Sequence, residues 1–333
     1  MATLLTPPPA DPVAVPPARR PGSVRRTSTV LMSWPGGLGT DLYLRGRARD
    51  LLTPAEGAPR VLEAADLLAV TGRERDIQHI ESDPPLAALD RLLGCRAGGK
   101  LRAAIATELP GEMEKGTPLY LLLDDLAGST LISGFTFLRW ADTFPEIGER
   151  IKAGASTRVM RGICAGFRDG SSGLEPDGTL SGISQNTGRA GRLDDPADPL
   201  SWHELDEPPQ IAMRRARRID VWAEDDRLQI DAMFRDSCWN PEGEEEVVHE
   251  YEIFGTADRD SGTLGSVTAV PRVLPYAECP GAAPNASWMA GTDLRAMRTE
   301  VLERLRNTDC CTHLNDGLRS LAEVPVLATA LPA

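Results

Sequence analysis

The chain predicts an α+β fold: two related units, each a small antiparallel sheet with helices over one face, joined by a long ordered insert. Three observations carry this expectation. Strand-like segments are followed by helical ones, and the whole order then repeats. Twelve residues, Cys311 to Ala322, align without a gap on Gly116 to Ala127, sharing a Thr and the Leu/Leu/Leu/Ala stripe of a buried helix face. An Arg-Asp pair closes the second strand of each unit, Arg49-Asp50 and Arg235-Asp236.

Taken in order, Thr27 to Trp34 is rich in β-branched and apolar residues and reads as a strand. Leu42 to Asp50, Arg60 to Val70 and Asp76 to Ile80 read as three more, the last stopped by Pro84-Pro85. Helical periodicity then runs through Leu86 to Leu93, Lys100 to Leu109 and Leu119 to Leu126. The later unit repeats this with strands at Arg217 to Ala223, Leu228 to Asp236, Glu246 to Phe254 and Leu264 to Val270. Helices follow from about Thr292 to Arg306 and from about Thr312. The expected boundaries are a Pro-rich, disordered tail over 1–24, a degenerate first copy over 25–128, an insert over 129–212 and a second copy over 213–333. Phe135, Phe137, Trp140, Phe144 and Phe167 favour order in the insert, since a connection that long is otherwise functional or disordered.

Charge narrows the partners. Asp and Glu number 49 against 36 Lys and Arg, a net charge of −13, which repels nucleic acid and anionic lipid. The basic run Met213 to Arg218 reads as a local feature before a strand. No apolar run approaches the roughly 20 residues of a membrane span, and Met1 to Thr6 lacks the basic start of a signal peptide. The cytoplasm is the expected location. The expected partners are a small-molecule substrate and, optionally, further copies of the chain. Six cysteines without a Cys-x-x-Cys pair are expected as reduced thiols, one of Cys310-Cys311 buried and the other exposed.

The second copy resembles the bacterial domain of unknown function 2889. The residues that carry the resemblance are Arg217-Arg218 before Ile219-Asp220, the strand ending in Arg235-Asp236, Val248-His249-Glu250, Pro275 to Pro280, and Cys311-Thr312-His313-Leu314. The resemblance implies a shared fold and a site location, and brings no reaction with it. The family tends to place a His shortly before the Asp of the second strand, where this chain has Phe234.

Chemistry-bearing residues concentrate in that copy. Of four histidines, His249 and His313 fall within it, whereas the first copy has Gly116 opposite Cys311 and Pro118 opposite His313. Cys311 stands before a helix, where unpaired N–H groups and the helix dipole would lower a thiol pKa. One reading makes His249, His313, Cys311 and Asp236 a catalytic cluster, with Asp setting the His tautomer. Arg235 and Arg218 would then bind an anionic group, with His203 and Cys279 beside the substrate. A second reading makes Cys311 a core filler and His313 a cap. A third assigns zinc to Cys279, Cys311, His313 and His249, although their spacing matches no recognised zinc motif.

The function these residues imply is a cofactor-independent lyase or hydrolase, of the kind used in aromatic catabolism, acting on a small apolar or aromatic carboxylate or thioester. The alternatives are a zinc-dependent enzyme and a non-catalytic binding module or complex subunit. Gly162 to Gly173 lacks Gly-Lys-Ser/Thr and the Gly-x-Gly-x-x-Gly arrangement, so no nucleotide loop is expected.

Overall fold

β-Branched and apolar residues at alternate positions build one antiparallel sheet that runs through the whole molecule. The computed structural model describes residues 11–146, 148–149, 160–181 and 186–332. The first half contributes β1 (Ser23–Ser33), β2 (Leu42–Thr53), β3 (Arg60–Thr71) and β4 (Ile77–Asp83) as a meander. Helices α1 (Leu101–Glu108), α2 (Pro110–Lys115), α3 (Pro118–Ile132) and α4 (Gly134–Trp140) follow. After the two-residue strand β5 (Gly188–Arg189), the second half supplies β6 (Ala212–Glu224), β7 (Arg227–Trp239), β8 (Glu245–Asp258) and β9 (Leu264–Pro271). It ends in α5 (Met297–Arg304), α6 (Thr312–Arg319) and α7 (Val324–Ala328), preceded by a 3-10 helix at Cys279–Met289.

Each expected strand is present and longer than expected, although Trp34 and Asp76 fall just outside β1 and β4. The α+β class holds, with one difference of architecture. The halves share a single sheet, in the order β4-β3-β2-β1-β6-β7-β8-β9, sealed by eleven antiparallel pairs between β1 and β6. Met213 to Arg218 accordingly lies inside β6 instead of before it.

The two meanders match in detail. A bulge follows Asp50 where β2 meets β3, and another follows Asp236 where β7 meets β8. A second pair of bulges falls after Val70 and after Thr256. Asp50 is gripped by Arg26 of β1 through two hydrogen bonds of 2.6 Å, and Asp236 by Arg215 of β6 at 2.9 and 3.0 Å.

One sheet face carries the helices. Helix α3 crosses β1, β2 and β3, while α6 lies on β7 and β8. Thr117 caps α3 by accepting from the Tyr120 N–H, with Pro118 in the first turn. Helix α3 runs unbroken through 128, so the expected start of the insert falls inside an element. Pro118–Trp140 is also long and apolar enough to cross a membrane, contrary to the sequence expectation, but 72% of its most apolar window is buried inside the protein. Leu119, Leu122, Leu123 and Leu126 join the core beneath the sheet.

Four arginines and four aspartates lock the helices to the strands and to one another. Arg215 binds Asp236, Asp125 and Asp316; Arg217 binds Asp125; Arg102 reaches Asp316 at 2.6 Å; Arg319 reaches Asp124 at 2.8 Å. A Cβ at Gly128 would lie 2.0 Å from Arg215 Nη1, so glycine in α3 is what lets this guanidinium through.

The opposite face is covered by the later part of the insert, around Leu193 and Trp202, and by the N-terminal segment. Trp202 and Leu193 pack on Ala216 and Met233. The segment 11–22, expected as part of a disordered tail, lies along this face in specific contacts; residues 1–10 are outside the described part.

Candidate functional site

The cross-strand row Arg215, Asp236, His249 follows from register alone. Arg215 is opposite Asp236 between β6 and β7, and Asp236 is opposite His249 between β7 and β8, so all three side chains point to the helix-covered face. The bulge beside Asp236 and His249 breaks the ladder there, the usual way a sheet re-aims a side chain. His313 comes down from the first turn of α6 and lies face to face with His249, ring centroids 3.5 Å apart at 17°. Its Nε2 is 3.9 Å from Asp236 Oδ2. His249 Nδ1 has no hydrogen-bond partner among the described residues, and His313 Nδ1 lies 3.4 Å from Thr312 Oγ1.

Above this pair is a cavity of about 410 Å³, a size typical of small-ligand sites. The helical ends of the first half supply Leu131, Ile132, Phe135 and Leu138; the insert supplies Met160, Ile163, Cys164 and Phe167. Tyr276, Cys279, Cys311, Thr312, His249 and His313 close the remaining side. No arginine or lysine lines it among the described residues.

Burial sets the protonation states. Loss of water pushes His313 down to about 3, assisted by the Arg215 charge. His249 falls well below its ordinary value for the same reason, with His313 adding to the effect. Both rings are neutral at pH 7, and stacking at 3.5 Å leaves room for one added proton, not two.

Cys311 occupies the N-cap of α6. The expected drop in its pKa does not occur: burial raises it, and the Tyr251 hydroxyl and the N–H groups of Leu314 and His313 only partly offset that. The Tyr251 hydroxyl makes no hydrogen bond of regular geometry, although it lies against this sulfur. Cys279 is likewise raised, and Cys164 is pushed up to about 12. Cys310 and Cys311 are both buried, where one exposed thiol was expected.

The structure thus brings His249, His313, Cys311 and Cys279 to one cavity, with Asp236 behind the imidazoles. It does not bring Arg235, Arg218 or His203 there. Arg235 and Arg218 alternate with the cavity-facing residues of their strands and point to the opposite face, each in its own ion pair, with Glu250 and with Asp220 and Asp231. His203 is clamped on that face between the Thr27 and Thr29 hydroxyls, 2.8 Å from each. Phe234, where a histidine was the family tendency, packs beneath the guanidinium groups of Arg215 and Arg217, 4.9 and 4.8 Å from them.

Sequence reasoning missed Arg215, which holds Asp236 in place, and Tyr251, which touches Cys311. Arg215 was read as one charge in a basic run; only strand parity, placing Arg215 and Arg217 on one face with Arg214 and Arg218 on the other, could have separated them.

These features define an α+β protein with a largely apolar cavity at the junction of two sheet-and-helix halves. Residues 213–327 match the family model described as "Protein of unknown function (DUF2889)". No curated protein and no solved structure matches the chain.

Proposed function

We propose that the cavity is the active site of a cofactor-independent enzyme that moves a proton on a small apolar or aromatic compound, by lyase or hydrolase chemistry. The observation that carries this reading is the stack of two neutral imidazoles at the polar end of an otherwise apolar cavity. A neutral imidazole can accept a proton, and these two, weakened as bases by burial, would hold it only transiently and pass it on. Once His313 or His249 takes a proton, the cation forms beside the Asp236 carboxylate, which Arg215 holds fixed. The second ring stays neutral, because a second cation in the stack is repelled, and it can relay or return the proton.

Among the described residues the walls carry no arginine or lysine, which favours a neutral compound such as an ester or thioester carbonyl over a free carboxylate. The Arg235 and Arg218 anchor therefore forms no part of this mechanism. A raised Cys311 pKa keeps the thiol protonated, which favours proton chemistry at the histidines over nucleophilic attack by sulfur. Six unpaired cysteines support a reducing, cytoplasmic setting.

The matched bulges and Arg–Asp grips support descent of the halves from one duplicated unit. Glu63 stands opposite Asp50 where the second half has His249, and Glu323 fills the first half's site by bonding Arg26 at 2.6 Å. In that reading the first copy is closed scaffold.

The test is native mass spectrometry of the protein after incubation with a fractionated metabolite extract. The expected result is one retained neutral compound, lost in Gly134→Phe, since a side chain at Gly134 starts from open space at the cavity rim. His249→Ala and His313→Ala should then bind the compound and fail to convert it. Binding without conversion in the unaltered protein would establish the binding-module alternative instead.

One observation favours a second reading, a divalent transition metal. The ligand atoms of Asp236, His249 and His313 lie within 4.8 Å of one another, a set that differs from the thiolate-rich zinc set expected from sequence. Parallel rings direct their lone pairs side by side, and both Asp236 oxygens already bind Arg215, so holding the ion would require the rings to rotate. Stoichiometric cobalt(II) binding with visible d–d absorption, abolished in His313→Ala, would establish it.

A further inference from the structure

Segment 12–17 is seated as a strap on the sheet face opposite the cavity. The Val13 N–H donates to Glu250 Oε1 at 2.6 Å, and Arg235 Nη2 donates to the Val13 carbonyl at 2.9 Å. The Arg192 N–H donates to Ala14 O, and Arg25 Nη2 to Pro17 O. The seat is shaped for this segment. A Cβ at Gly191 would lie 2.2 Å from the Val13 carbonyl oxygen, and one at Gly188 would lie 2.8 Å from Pro12 Cγ. Beyond the strap, Arg19 grips Asp198 through two hydrogen bonds and donates a third to Thr53.

The residues that hold the strap are chain neighbours of the site. Arg235 precedes Asp236 and Glu250 follows His249, and the two pairs are consecutive rungs between β7 and β8. Alternation sends Asp236 and His249 to the cavity and Arg235 and Glu250 to the strap. The bulge lies at the same rungs, with Ser237 paired to Val247, and a bulged ladder is where register is least fixed.

We propose that Arg235 and Glu250 are positioning residues for the His249–His313 stack, and that the N-terminal strap they bind is what fixes that stretch of β7 and β8. With the strap seated, the buried Arg235–Glu250 pair is satisfied by the Val13 backbone. With it removed, a buried carboxylate oxygen and a guanidinium N–H lose their partners and draw water into the bulge, loosening the rungs that aim Asp236 and His249. The inference takes the histidine pair to be the working end of the cavity, yet its readouts need no substrate and stand whether or not a reaction is found.

The experiment compares the full chain with a deletion of residues 1–17 and with Val13→Pro, which removes the N–H that Glu250 accepts and keeps the rest of the strap. Ring nitrogen shifts of 15N-histidine-labelled protein are recorded by NMR and assigned with single His→Gln variants, alongside the thermal midpoint and the Cys311 alkylation rate. The expected result is displaced signals for His249 and His313 in both variants, an unmoved His79, and Cys311 alkylation faster by about tenfold as the site opens. A synthetic peptide of residues 1–17 should return the deletion variant's signals toward those of the full chain. The proposal is overturned if Val13→Pro, folded by its thermal midpoint, gives His249 and His313 signals that superimpose on the unaltered protein. Loss of stability without a ring-signal change would mark the strap as structural only.

Discussion

At the scale of single residues, depth of burial overrides local sequence context. Cys311 has the helix N-terminus that ordinarily favours a thiolate, but it is also buried, and desolvation is the larger effect. Cys311 is therefore expected to resist iodoacetamide at pH 7.5 and to react only above the ordinary thiol range, as peptide mapping of the alkylated protein would register. The histidines follow the same logic with a consequence for stability. His313 and His203 are each held down to about 3 against an ordinary 6.5, and His249 falls well below it. Between those values the unfolded chain binds protons that the folded one refuses, so stability is full above pH 6.5 and falls as the pH drops through the window. The loss is up to about 1.4 kcal/mol per pH unit for each histidine. Glu323, Glu63 and Asp66, raised chiefly by burial, work in the opposite sense, but the last two are only partly buried and their effect is weaker. Urea midpoints should fall from pH 7 to pH 5, and His203→Gln should flatten the slope; a midpoint constant over that range would contradict these protonation states.

At the scale of elements, alternation within strands was readable and the packing between elements was not. Leu/Leu/Leu/Ala spacing is enough to announce a buried helix, and α3 and α6 are both found there. The sequence does not disclose which glycines are required by a neighbour. Gly166 is one: a Cβ there would lie 2.6 Å from Cys279 Sγ and 3.3 Å from Tyr276 Cδ2. Gly166→Ala should cost about 1–3 kcal/mol through overpacking, measured by denaturant unfolding, and should narrow the cavity wall built by Cys279 and Tyr276. A change within error would show that this wall yields. Arg218 and Arg235 illustrate the same limit. Both were expected to bind an anionic group, but one step along a strand turns a side chain to the other face, where each is in an ion pair.

At the scale of the molecule, the two halves are held by shared structure instead of by a linker. β1 pairs with β6 along its full length, and Asp125 of the first half neutralises Arg215 and Arg217 of the second. Removing that carboxylate leaves two buried guanidinium groups short of a partner. Asp125→Ala should destabilise the protein by about 3–5 kcal/mol, and because Arg215 also grips Asp236, it should disturb the His313 ring signal as well. An unaltered thermal midpoint would show that Asp316 alone suffices to neutralise this cluster.

By itself the sequence determined the α+β class and all eight long strands, and it offered the grouping of His249, His313 and Cys311 as one of three readings. These depend on local periodicity and on residue type, which the chain displays directly. Only the tertiary structure decided that the halves share one sheet, that the Arg235 side chain holds the N-terminal strap, and that the cavity thiols stay protonated. Those outcomes depend on strand parity, close approach and desolvation, which exist only once distant segments exclude water from one another.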